Sequence, residues 1–170
     1  MMLPEIFEIL IITLSDRASR GEYEDLSGPL VKEMIEEFFR SIKTGCNITG
    51  ELIPDEMEML RNQVLSSSER YHIIFTTGGT GIGPRDITVE TITPLLTKEI
   101  PGVMEYIRVK YGSEKPNALL SRGVAGLIGR TLIYTLPGSV RAVKEYMTEI
   151  IKTMEHTLQM LYDIDSHQKI

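Results

Sequence analysis

The chain has no tryptophan, one cysteine and three histidines in 170 residues, and aromatic side chains make up only 6% of it. Cys46 alone can neither close a disulfide within the chain nor found a cysteine-based zinc site. His72, His156 and His167 stand far apart, so no helical pair of imidazoles is offered to a metal. Long apolar runs are missing too: Ile6 to Leu14 is far too short to cross a bilayer and contains Glu8. It also lacks the basic flank of a secretion signal. Cations are in deficit, with a formal net charge of −6, which argues against a nucleic-acid partner. These absences point to a protein of the reducing cytoplasm, with no membrane association.

What is present is ordinary for a soluble globular protein: 42% hydrophobic and 25% charged residues. The length suits one domain with a substantial core, expected over residues 5–163, with a flexible tail at 164–170. Short apolar runs alternate with amphipathic stretches, the signature of βαβ units and an α/β fold built on a parallel sheet. Strands are expected at Ile6–Leu14, Cys46–Ile53, Tyr71–Thr76 and Thr131–Leu136. After Ser27-Gly28-Pro29, the positions Leu30, Met34, Phe38 and Ile42 mark a helical face flanked by Val31, Ile35 and Phe39. A second helix follows Pro54-Asp55 with Met57, Leu60 and Val64 inward. A third begins near Thr88 and is bent or ended near Pro94, and a fourth runs through Val103, Ile107 and Tyr111. The last, from Ser139 to Tyr162, carries an apolar stripe of Val140, Val143, Met147, Ile151, Met154, Leu158 and Leu161.

The most informative segment is Thr76-Thr77-Gly78-Gly79-Thr80-Gly81-Ile82-Gly83-Pro84-Arg85-Asp86. Four glycines within six positions follow a buried strand, and an arginine and a carboxylate come directly after. Glycine admits positive φ and close backbone approach, so successive N–H groups can converge on an anion. A helix starting behind them adds its positive end. A plain strand-to-helix turn is the alternative, but it rarely needs four glycines. The two familiar phosphate loops do not fit. Gly78 and Gly83 have P-loop spacing, yet Pro84 stands in the lysine position and Arg85 in the Ser/Thr position. The dinucleotide pattern fails because its third glycine would fall on Pro84 or Asp86.

Open parallel sheets bind ligands beyond the carboxyl ends of their strands. Four such ends carry Ser15-Asp16-Arg17, Pro54-Asp55-Glu56, the glycine segment and Pro137-Gly138-Ser139, which brings three aspartates to one rim. Carboxylates repel a phosphate unless a hard divalent cation sits between them. Mg²⁺ uses one or two carboxylates with phosphate oxygens and water, so Asp55 and Asp86 are candidate ligands, and the chemistry indicated is phosphoryl or nucleotidyl transfer. Structural alternatives stand beside each assignment. Asp55 suits the N-cap of the second helix equally well, with Glu58 at the capping-box position. Asp86 and Thr88 both suit the start of the third. Asp16 suits a turn near Gly21, or a pair with Arg17, better than a ligand. Arg85 suits a phosphate or an aspartate, and Ser121-Arg122-Gly123 suits a ligand grip or a plain loop. Glu105 reads as solvated and His72 as a structural histidine.

The same residues carry a resemblance. Ser15-Asp16-Arg17-Ala18-Ser19 with Gly21 and Asp25, Leu52-Ile53-Pro54-Asp55-Glu56, the glycine segment with Pro84-Arg85-Asp86, Pro101-Gly102, Leu120-Ser121-Arg122 and Leu136-Pro137-Gly138-Ser139 occur in the order seen in the MogA/MoaB-type molybdopterin-binding family. The chain resembles that family from about Glu8 to Leu161, and most closely its molybdopterin adenylyltransferases. The resemblance implies a three-layer α/β domain, with a mostly parallel central sheet flanked by helices, that assembles as a homotrimer. It implies that AMP passes from ATP to the terminal phosphate of molybdopterin with Mg²⁺, giving pyrophosphate, and that the product is handed to a molybdenum-insertion enzyme. It assigns metal-associated and catalytic roles to Asp55 and Asp86. Gly78, Gly79, Thr80 and Gly81 would hold nucleotide or phosphate together with Asp16, while Ser121, Pro137, Gly138 and Ser139 would lie along the substrate pocket. The attacking phosphate is already anionic, so such a site needs alignment and charge neutralisation more than a general base. Some MoaB-type members share the loop without adenylylating; the Ser-Asp-Arg-Ala-Ser segment and the intact Pro-Arg-Asp favour the active branch. A non-catalytic molybdopterin carrier or scaffold is the alternative. Metal insertion belongs to multidomain relatives, for which this length leaves no room.

Overall fold

The computed structural model describes residues 3–164. Strands β1 (Ile6–Leu14), β3 (Ile73–Thr77) and β6 (Thr131–Leu136) run parallel through the centre of a six-stranded sheet, and β2 (Gly45–Ile53) lies parallel outside β1. The bounds of β1 and β6 are those expected from sequence. β2 starts one residue earlier, and β3 starts later because the Tyr71 amide is held by the Ser67 carbonyl in the turn that ends the preceding helix. Two strands not anticipated, β4 (Lys98–Glu99) and β5 (Ala125–Ile128), extend the sheet antiparallel beyond β6, giving the order β2-β1-β3-β6-β5-β4.

The strand side chains sort by the two-residue period of a sheet buried on both faces. Phe7, Ile9 and Ile11 of β1 join Ile73, Phe75, Leu132 and Tyr134 on one face, covered by α2 (Ser27–Ser41), α5 (Pro101–Gly112) and α6 (Val140–Leu161). Leu10, Ile12 and Leu14 join Ile74 and Ile133 on the other, covered by α3 (Met57–Ser67) and α4 (Thr88–Ile92). This is the three-layer α/β architecture expected. Helix α4 passes at Thr93–Leu95 into a 3₁₀ turn containing Pro94, as the proline predicted. One inward assignment was wrong. Met57 is exposed, because it sits in the first turn of its helix at the rim of the sheet rather than over it. The tail expected at 164–170 lies, from residue 165 onward, outside the described residues.

From β1 the chain crosses to β2 on one side and then returns to β3 on the other. That reversal opens a crevice at the carboxyl ends of β1 and β3, where an open sheet of this kind takes its ligand. A single-turn helix, α1 (Asp16–Ser19), starts at its mouth.

Candidate active site

In-register pairing sets Leu14 opposite Ile53, so the loops leaving β1 and β2 meet. The Asp16 amide donates to Asp55 Oδ2 at 2.9 Å, and the Asp55 amide donates to Asp16 Oδ1 at 3.0 Å. This reciprocal pair clasps the two strand ends. Asp55 is therefore no helix cap: Glu56 occupies the N-cap of α3, and no side chain caps that helix. Asp16 does not pair with Arg17 either. Arg85 donates to it through Nε and Nη2 at 2.9 Å each, while Arg17 lies over the Tyr23 ring. The cap of α1 is Ser15, whose Oγ accepts from the Ala18 amide.

The glycine loop is fixed where no other residue fits. Gly78 and Gly79 have φ of +95° and +66°. A Cβ on Gly78 would stand 2.4 Å from the Leu14 carbonyl oxygen, and one on Gly79 2.3 Å from Thr88 Oγ1. The Gly78 amide donates to the Leu136 carbonyl at 2.9 Å, and Gly138 packs so closely that its Cβ would lie 3.3 Å from Gly78 Cα. Thr88 pins the loop from below, its hydroxyl donating to Gly78 O and its amide to Gly79 O. It works as a buttress, a role its sequence position does not distinguish from capping. Among the described residues, no protein acceptor takes the amides of Gly79, Thr80 or Gly81. Asp86 turns back to accept the Gly83 amide at 2.7 Å. Ile87 occupies the N-cap of α4 and no side chain caps it, so the capping alternative for Asp86 falls as well.

Asp16, Asp55, Asp86, Gly79 and Arg85 border one concavity of about 330 Å³, with Arg17 and Arg20 at its margin. The two acids assigned to the metal thus face a common space beside the glycine bend. Gly78 lies directly behind it. Thr80 and Gly81 lead away toward Arg122, which donates through its amide to Thr80 O and through Nε to Gly81 O, and is paired with Glu90. Ser121 borders a neighbouring concavity with Arg108 and Gly123 rather than the acidic one. Ser139 caps α6 by accepting the Ala142 amide, and half-buried Pro137 links it to β6. A concavity of about 440 Å³ beside β2, bordered by Ile48, Leu52 and Pro29 with Asp25 and Glu51, includes no residue of the glycine loop.

Titration behaviour separates the acids. Burial pushes the Asp55 carboxyl above its ordinary value; the charges of Asp16 and Asp86 add to this, against the Asp16 amide and Arg85. Asp16 is held below its ordinary value, first by the Asp55 amide and then by Arg85, against its own desolvation. An acid displaced this way in a cleft is a candidate for a functional role. Among the described residues, no group of three or more His, Cys, Asp or Glu side chains is arranged to hold a metal by itself. The pair Asp55 and Asp86 matches the smaller share a protein contributes to Mg²⁺ when phosphate and water complete the shell. No described helix is long and apolar enough to cross a membrane.

Residues 10–156 match the family profile described as "Probable molybdopterin binding domain". The molybdopterin adenylyltransferase of Helicobacter pylori is 30% identical over 159 residues, covering 92% of this chain and 89% of that one. Molybdenum cofactor biosynthesis protein B of Staphylococcus carnosus is 40% identical over 145 residues, 84% and 82% of the two chains. The Drosophila melanogaster molybdenum cofactor synthesis protein cinnamon is 36% identical over 155 residues, 90% of this chain but 25% of its own. The chain therefore spans about a quarter of that relative's length. Among solved structures, the molybdopterin biosynthesis enzyme MoaB of Thermus thermophilus superposes with a TM-score of 0.82 at 35% identity, covering 92% of this chain and 97% of that one.

Proposed function

Because the chain belongs to this molybdopterin-binding domain family, we propose that it serves molybdenum cofactor biosynthesis by transferring AMP from ATP to the terminal phosphate of molybdopterin. An oxygen of that phosphate attacks the α-phosphorus of ATP. The bond between the α-phosphorus and the bridging oxygen breaks, and pyrophosphate leaves. The observation that carries this reading is the joint opening of Asp55 and Asp86 onto one concavity walled by the glycine loop.

Asp55 and Asp86 would hold Mg²⁺, which when bound supplies positive charge against both the carboxylates and the phosphates. The protein's own part is positional. Thr88 and the Leu136 carbonyl fix the loop, so the Gly79 amide at the edge of the concavity would reorganise little as charge grows on the leaving group. The clasp between Asp16 and Asp55 keeps the metal-side carboxylate in place. No general base is required, because the nucleophile is already ionised.

The experiment is direct: the protein is incubated with molybdopterin, ATP and Mg²⁺, and pyrophosphate and adenylylated molybdopterin are measured. Both products are expected, and both are lost on chelation of Mg²⁺. Molybdopterin binding with no product above background would instead establish the carrier. That second reading is favoured by one observation, the higher identity to a cofactor biosynthesis protein B than to the Helicobacter adenylyltransferase. We also place the protein in the cytoplasm as a homotrimer that passes its product to a molybdenum-insertion enzyme. The trimer is supported by Tyr106, Val109, Leu119, Leu120 and Met160, large apolar side chains left exposed on α5, the turn after it and α6. Light scattering reads the assembly, and a monomer at micromolar concentration would remove it.

A further inference from the structure

We propose that Arg85 is the side chain that grips the incoming polyphosphate, and that Asp16 holds it in reserve until the anion arrives. The proposal rests on the nucleotide-binding reading above and adds the residue that would recognise the phosphate chain.

Four guanidinium groups surround the glycine loop, and they are held differently. Arg122 is tied to Gly81 O, Asp86 O and both oxygens of Glu90, so it is a strut of the loop. Arg20 pairs with Glu22, and Arg17 lies over Tyr23; neither of those partners borders the acidic concavity. Arg85 alone among them is held by a carboxylate that itself borders the concavity. Its side chain is 62% exposed although it is doubly hydrogen-bonded, and that of Asp16 is 26% exposed.

This arrangement suits exchange. A guanidinium presents the same two-point fork to a carboxylate and to a phosphate, so a phosphate oxygen competes for the donors that Asp16 now occupies. The exchange trades one two-point contact for another of the same kind, at a pair that water already reaches. Asp16 is not orphaned by it, because Oδ1 keeps the Asp55 amide and water reaches the rest. The loop before Arg85 is itself at the surface, with Ile82 73% exposed. While the pair is closed, it covers the charge of one acid and leaves Asp55 and Asp86 for the metal. When it opens, the cation moves toward the ligand within the same concavity.

The test is a double-mutant cycle on binding of inorganic tripolyphosphate with Mg²⁺, by calorimetry, using Asp16→Asn, Arg85→Ala and the double variant. Arg85→Ala is expected to weaken binding roughly tenfold or more, the scale of a lost charge-assisted hydrogen bond. Asp16→Asn keeps an oxygen for the Asp55 amide but loosens its hold on Arg85, so binding is expected to tighten several-fold. In the Arg85→Ala background the same change is expected to do almost nothing. An equal gain in both backgrounds would mean only general relief of repulsion, and weaker binding in Asp16→Asn would mean a fixed strut; either result overturns the proposal. Arg85→Lys keeps the charge without the fork and is expected to fall between wild type and Arg85→Ala; binding equal to wild type counts against a fork. The outcomes separate from those of the enzymatic reading. Coupling in the cycle without pyrophosphate formation removes the transferase and keeps the grip, whereas pyrophosphate formation without coupling does the reverse.

Discussion

Asp55 and Glu149 are both withdrawn from bulk water, and the protein treats them in opposite ways. Glu149, on α6, is only 5% exposed. Lys110 donates to it from α5 at 2.7 Å, Lys152 from the next turn of α6 at 2.8 and 3.0 Å, and the Tyr111 hydroxyl at 3.3 Å. Burial pushes this carboxyl up, but the hydrogen bonds and charges of the two lysines outweigh it and leave it below the ordinary range. Burial likewise pushes Asp55 up, but it receives one backbone amide, no side-chain cation among the described residues bonds to it, and two more acids stand nearby, so it ends above its ordinary value. An acid that serves the fold comes with its own counter-ions. One left short of positive charge in a cleft is arranged for charge brought by a ligand.

The largest effect that can break this comparison is on turnover. Asp55→Asn keeps an oxygen for the Asp16 amide and removes only the charge. Pyrophosphate formation is expected to fall on the order of 10²–10³-fold, the scale of losing one preorganised electrostatic contact. Thermal stability should hold or rise, since repulsion from Asp16 and Asp86 is relieved. Glu149→Gln is expected to do the reverse, lowering the melting temperature while leaving turnover near wild type. Equal losses of turnover in the two variants would erase the distinction between a structural and a functional carboxylate.

The history of Asp55 also shows what a sequence can reveal. β1 and β6 were legible because strands buried on both faces are nearly continuous in apolar residues. β4 and β5 were not, since two exposed residues in one and an Ala-Gly start in the other leave no period to read. The glycine loop was legible as a candidate ligand site because its composition exceeds what a turn requires. Asp55 was ambiguous because a residue just ahead of a helix stands in the same place whether it caps or binds. Only the register of β1 on β2, which brings positions 16 and 55 face to face, removes the cap. The Arg85 pair with Asp16 joins residues 69 apart in sequence, so an aspartate partner was expected for Arg85 but not which one.

Next in size is a contrast between two glycines, one from each region. Gly78 supports the rim that carries Asp55. Gly78→Ala must hold alanine at φ +95° and place a Cβ 2.4 Å from a backbone oxygen that cannot step aside. A loss of about 1–3 kcal/mol from the backbone strain alone is expected by denaturant unfolding, with activity lost alongside. Gly102 stands in the first turn of α5, in the region of Glu149, and a Cβ there meets nothing within 4 Å. Gly102→Ala is expected to stabilise by about 0.4–1 kcal/mol through the unfolded chain. If the two substitutions cost the same, the tight packing inferred for the rim is wrong.

The smallest effect, and the one that sharpens the comparison most, is the separate origin of two acid limbs. The folded protein raises Asp55 above the value of about 3.9 typical of aspartate. Falling pH therefore protonates it earlier than an unperturbed acid, and the charge that would hold Mg²⁺ in the proposed reaction is lost while the fold remains. Its own contribution to stability has the opposite sign, because protonation relieves a repulsion. Glu149 is lowered, so its stabilising contribution is fully present above the value of about 4.3 typical of glutamate and is lost only as pH falls through its folded value beneath that. Turnover and the thermal midpoint, followed across the acid range, should thus each carry a limb of their own. Asp55→Asn should remove the limb from whatever activity remains and leave that of stability in place, and Glu149→Gln should flatten the limb of stability. Loss of both limbs in Asp55→Asn would mean that activity is lost by unfolding, and that the two acids do not act separately.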